Sequence, residues 1–144
     1  VGLPIVGRVL RLAQMLQARR EQQLSEFGLT VADFDVMATL VRRAGGGTLN
    51  VRDLQQATML SSGGMTKRLD RLEGLGLVTR EPDPSDRRGV LIRLTPAGRQ
   101  LIDSAIPAVL DAESELVEQA VGSQRERAKV EAGLRRLLLA RESG

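Results

Sequence analysis

From residue 77 to residue 94 the chain reads LVTREPDPSDRRGVLIRL. Two short apolar runs flank PDPSDRRG, residues 82–89. Proline fixes φ and removes an N–H, while Asp, Ser and Gly favour turns, so this stretch can continue neither a helix nor a strand. Beyond it, Val90, Ile92 and Leu94 alternate onto one face. The stretch therefore folds as a two-stranded hairpin with Arg87 and Arg88 at its tip. Tip arginines have little to pack against. They are solvated, paired with Asp83 and Asp86 across the turn, or aimed at a polyanion.

The rest of the chain reads as helix. Ile5, Val9, Leu12 and Leu16 mark a first helix over about residues 3–26, which Gly28 stops. Thr30 caps a second, with Asp33 at its third position in a capping-box pattern. That helix carries Phe34, Met37, Ala38 and Val41 on one stripe, and AGGG (44–47) ends it. TL (48–49) is a candidate strand. Asn50 caps a short helix over about 51–57, and Ser61 caps a longer one with Met65, Leu69 and Leu72 on one face. GLG (74–76) closes it. After the hairpin, Thr95 caps and Pro96 begins a helix that runs to Gly122, with a bend expected at Pro107. SQRE (123–126) is a capping box for a last helix.

Composition narrows the function. The 144 residues contain no Cys, no His, no Trp and no Tyr. Disulfides, thiol chemistry, Ser-His triads and most transition-metal sites are thereby excluded. With no clustered acidic motif either, the chain is not expected to be an enzyme, and it implies no metal and no cofactor. No run approaches a membrane span. The opening residues read as helix rather than signal peptide, because Arg8 and Arg11 interrupt the apolar run and no basic segment precedes it. The chain opens without Met, so a trimmed or longer start is expected. A cytoplasmic location is expected. From Thr48 to Arg99 nine Lys/Arg stand against six Asp/Glu, while the residues after Arg99 carry six against eight. The middle is basic and the last third acidic, a distribution compatible with nucleic acid.

Two short helices joined by a tight turn and followed by a hairpin make a winged helix-turn-helix. Its second helix reads the DNA major groove, and basic residues at the wing tip lie on phosphate or in the minor groove. With Met65 at 0°, Lys67 falls at about 200° and Thr66 at about 100°, away from the apolar face. Ser61 and Ser62 are caps that also suit phosphate contact. Gly63 and Gly64 either let phosphate approach the helix start or mark a fraying first turn. Arg71 completes the DNA-binding set. Arg68 falls at about 300°, on the flank of the buried face, and needs an anionic partner there.

LSSGGMTKRLDRLEGLGLVTREPDPSDRRGVLIRLTPAGRQL resembles the core of the MarR family of transcriptional regulators, and the flanking helices match in order. The resemblance implies a mainly α fold with a small β-wing in one domain, residues 1–144. Residues 48–99 would form the DNA-binding lobe, and 1–27 with 100–144 a helical dimerisation region. It implies a homodimer on a pseudo-palindromic operator in double-stranded DNA, probed by a small-molecule effector. FDVMATLVRRAG with MLSSGGMTKRLDRLE further resembles the branch responsive to urate and related purines. In that branch Asp35, Arg68 and Arg80 would hold the ligand, together with a tryptophan that this chain lacks. A phenolic ligand is the other choice. The unpartnered apolar residues at both ends, among them Leu10, Leu12, Leu16, Leu134, Leu137 and Leu138, fit a dimer or one compact helical monomer. The function expected is a ligand-released repressor. The alternative is a helical protein-interaction module that uses a winged helix without DNA.

Overall fold

The computed structural model describes residues 2–44, 47–58 and 60–142. Among them are α1 (Gly2–Ser25), α2 (Val31–Ala44), β1 (Thr48–Asn50), α3 (Val51–Thr58), α4 (Ser62–Gly74), β2 (Val78–Pro82), β3 (Val90–Leu94), α5 (Pro96–Ala120) and α6 (Gln124–Glu142). The expected order of elements is the one observed, including the short strand at 48. Two of the AGGG glycines, Gly45 and Gly46, lie outside the described residues.

The helix boundaries follow local chemistry. At the end of α1 the Gly28 amide donates to Ser25 O and the Leu29 amide to Leu24 O, each at 3.0 Å, with Gly28 at φ 69°. Gly76, at φ 72°, closes α4 the same way, with Leu77 N to Leu72 O at 2.9 Å. Both are left-handed caps that glycine adopts without a Cβ penalty. At the helix starts, Asn50 Oδ1 accepts from Asp53 N at 2.8 Å, and Thr95 Oγ1 from Gly98 N at 3.0 Å. Ser123 and Glu126 close a reciprocal box.

The three strands form an antiparallel sheet in the order β1-β3-β2. Ile92 pairs with Leu49 on one side and Arg80 on the other, and its side chain is fully buried. α2 packs against α3, α4 and β1, so the core is built on it. Leu24, Met37, Leu40, Leu54, Met65, Leu69, Leu72 and Ile92 are all buried. Aliphatic residues and methionine fill this space because the chain has only two aromatic residues, both Phe.

The chain divides into two compact units, Val1–Pro107 and Ala108–Gly144. In the first, α5 enters beside the sheet: Thr95 N donates to Leu77 O at 3.0 Å and Thr95 Oγ1 to Gly76 O at 2.6 Å. α5 is a continuous helix that contains Pro107. In the second unit no residue of α6 is buried, and Val130, Leu134, Leu137, Leu138 and Leu139 are exposed. α1 buries only Leu24 and exposes Leu3, Ile5, Val6, Leu10, Leu12 and Met15.

Candidate nucleic-acid interface

α4 is amphipathic in the way its spacing predicts. Met65, Leu69 and Leu72 are buried, while Ser61, Ser62, Gly63, Thr66, Lys67 and Asp70 are exposed. Ser61 is the N-cap, its Oγ accepting from Gly64 N at 3.0 Å. A Cβ on Gly64 would stand 3.0 Å from that same Oγ, so glycine there keeps the cap open. A Cβ on Gly63 would meet nothing within 4 Å. No packing requires glycine at 63, and its absent side chain leaves the helix start bare. Free amides and the positive end of the helix dipole converge at that start. Thr66 Oγ1 donates to Ser62 O at 3.0 Å, which fixes its rotamer and leaves the oxygen free to accept. Lys67 makes no ion pair among the described residues.

The wing resolves the question posed by its composition. Asp83 Oδ1 accepts from Ser85 N at 2.9 Å and Ser85 Oγ at 2.7 Å. The Ser85 hydroxyl and amide hold this carboxyl below its usual range. Asp86 Oδ1 accepts from Arg88 N at 3.0 Å. Both aspartates therefore build the turn from the backbone, and neither pairs with a guanidinium. Arg87 and Arg88 are exposed and form no ion pair among the described residues. Gly89 belongs to the same turn, since a Cβ there would press on Asp83 at 3.0 Å.

A cleft of about 600 Å³ lies between α4 and the wing, lined by Arg52, Thr66, Asp70, Arg80 and Arg88 among others. Arg80 is engaged within it. Its guanidinium contacts Asp70 at 2.7 Å and Glu73 at 3.6 Å, and donates to Thr66 O at 3.3 Å.

Two arginines of α4 share one carboxylate. The anionic partner that Arg68 needs is Asp33, at 2.9 Å. Arg71, grouped with the DNA contacts, is exposed and at the same time paired with a buried carboxylate. Its Nε meets Asp33 Oδ2 at 3.1 Å and its Nη2 donates to Gly28 O at 3.1 Å. Asp33 is drawn into this role because its capping-box position already buries it at the start of α2. No hydrogen bond or ion pair joins Asp35, Arg68 and Arg80. Asp35 is half-buried; burial raises its pKa, and the charges of Arg20 and Arg42 reverse that only in part. Asp33 had a signal in sequence only as a cap; its second role depends on α4 crossing α2, which spacing does not show.

Among the described residues no group of His, Cys, Asp and Glu could hold a metal, and no helix is long and apolar enough to cross a membrane.

Comparison with known proteins agrees with this geometry. The sequence model of the MarR family matches residues 27–89. The HTH-type transcriptional regulator PecS of Dickeya dadantii (strain 3937) is 30% identical over 113 residues, 78% of this chain and 68% of PecS. The chain spans from about a third to about two thirds of the length of the curated relatives it matches. A mutant of MarR from E. coli, solved with operator DNA, superposes with a TM-score of 0.76 at 26% identity, covering 96% of this chain and 98% of that one. NadR in complex with 4-hydroxyphenylacetate shares the fold, with a TM-score of 0.73 at 22% identity over 92% and 91% of the two chains.

Proposed function

This chain belongs to the MarR family of DNA-binding transcriptional regulators, and from that premise we propose that it is a homodimeric repressor released from its operator by a small anionic ligand. The family is not one of enzymes. The observation that carries the reading is the pairing of an exposed α4 face, at Thr66 and Lys67, with wing arginines that no carboxylate of the turn neutralises. The helix start at 61–64 meets phosphate, Thr66 and Lys67 meet base edges, and Arg87 and Arg88 meet the backbone or minor groove beside them. The exposed apolar residues of α1 and α6 supply the surface for a second copy. Two half-sites then bind as one unit with raised affinity.

The effector acts on α4 through residues of α2, α4 and β2. Arg68 and Arg80 carry the positive charge and Asp35 an acceptor, a set suited to a planar anion with N–H groups, such as urate or another oxidised purine. The first two already have protein partners, so the ligand must displace or join them. A phenolic acid is the second choice, supported by the ligand of NadR.

The test is binding to the intergenic DNA beside the protein's own coding region, at several salt concentrations, with urate, xanthine, hypoxanthine and salicylate added in turn. Log affinity should fall steeply with log salt, because phosphate contacts release counterions. A protein-interaction module would show no such dependence. Release by salicylate alone would overturn the purine assignment.

A further inference from the structure

Asp33 is the most heavily engaged carboxylate among the described residues, and it faces no solvent at all. It stands at the third position of α2, where Thr30 Oγ1 accepts from its amide at 3.1 Å. Its Oδ2 accepts from Thr30 N at 2.9 Å and Arg71 Nε at 3.1 Å; its Oδ1 accepts from Arg68 Nη1 at 2.9 Å. Arg68 and Arg71 are one turn apart on α4. One carboxylate thus grips two successive points along the flank of the helix. The apolar face beneath, Met65, Leu69 and Leu72, is closely packed but makes no directional bonds, so it fixes the angle of the helix less sharply than hydrogen bonds do. Two charge-assisted hydrogen bonds to a single buried acceptor resist even a small rotation about the helix axis.

The arrangement is not explained as a device for stability. A buried ion pair seldom improves on well-packed apolar residues, and here Arg68 Nε is buried without a partner. The clamp also has an electrostatic side. Arg71 lies one turn beyond Lys67 on the same stripe, and its side chain is 42% exposed. Without Asp33 its charge would be unpaired, held only by the hydrogen bond to Gly28 O, at the edge of the DNA-facing surface.

We propose that Asp33 is a positioning residue of the DNA interface: through Arg68 and Arg71 it fixes the rotation of α4, and it keeps Arg71 off the phosphates. Sequence discrimination then depends on a buried side chain that touches no DNA. This rests on the reading of α4 as the recognition helix.

The two effects have opposite signs on affinity, which separates them from simple loss of structure. Asp33→Asn keeps an oxygen for the Thr30 amide and removes the charge. Its affinity for operator should fall about tenfold or more, while affinity for random DNA holds or rises. The slope of log affinity against log salt on random DNA should steepen by up to about one unit as Arg71 gains a phosphate. Adding Arg71→Ala should return that slope to the wild-type value without restoring discrimination. Asp33→Glu should recover part of the discrimination. If Asp33→Asn does not fold, Arg71→Ala alone carries the test, with reduced discrimination and no steeper slope expected. Parallel losses on operator and random DNA, or an unchanged ratio, would overturn the positioning role alone. Wild-type protein that binds DNA without salt dependence would overturn the reading of α4 itself.

Discussion

A side-chain carbon on Gly98 would lie 2.0 Å from the carbonyl oxygen of Leu77. The obstacle is backbone, and that same oxygen accepts from Thr95 N, so it cannot swing aside. Gly98→Ala should therefore destabilise the protein by at least the roughly 1–3 kcal/mol typical of overpacking. Chemical denaturation of the variant checks this; an unchanged midpoint would show that α5 can slide along the sheet.

Gly63 offers the contrast. An alanine there enters open space, and in a helix it is favoured over glycine by up to about 1 kcal/mol. Gly63→Ala should match or exceed wild type in stability yet bind operator more weakly, because the methyl group would stand where the proposed phosphate contact lies. Equal operator affinity would assign Gly63 to a fraying turn.

The wing arginines are expected to act additively. Arg87→Ala and Arg88→Ala should each lower the salt slope by about one unit and leave the melting temperature unchanged. Titration at three salt concentrations suffices. A double variant with wild-type slope would mean that the wing stays clear of DNA.

Two aspartates on one helix should respond to pH in opposite ways. Burial raises the pKa of Asp33, but the Thr30 amide and the Arg68 and Arg71 guanidinium groups outweigh it, and the net value lies below 3.8. Its charged form is therefore favoured in the fold. The stability it contributes is complete above the unfolded value and is lost as pH falls through the lower, folded one. Asp35 is raised above 3.8 by burial, which Arg20 and Arg42 offset only in part. Its penalty is absent at low pH, grows as pH rises from the unfolded value toward the folded one, and is complete above that. Asp35→Asn should therefore stabilise at neutral pH and have no effect in strong acid, whereas Asp33→Asn should destabilise at neutral pH. Denaturation from about pH 2 to pH 7 compares them. Destabilisation by Asp35→Asn at neutral pH would show that its charge is favoured in the fold.

What sequence disclosed here was local. Ser61, Thr95, Asn50 and Ser123 announced their helices because a cap and its amide lie within three residues, and the face of α4 followed from spacing alone. The partners of Arg68 and Arg71 were not legible. They lie 35 and 38 positions away in the chain, and Asp33 and Asp35 are equally acidic on paper. Only the way α4 crosses α2 selects the first. The wing stood between: its turn was plain from composition, but which groups Asp83 and Asp86 would bind was settled by backbone geometry.

The placement of β3 between β1 and β2 has a consequence for how such a protein could change. β1 leads directly into the cap of α3, so the wing and the helix pair share one hydrogen-bonded frame. A mutation that tilted the wing would drag the helices with it, and on the proposed reading the spacing of contacts along a half-site would be hard to alter by single steps. The side chains of Thr66 and Lys67, by contrast, are exposed on that frame, and neither forms an ion pair among the described residues. If those side chains read bases as proposed, divergence after gene duplication should run through them first, giving paralogues that keep one footprint on DNA while reading different letters within it.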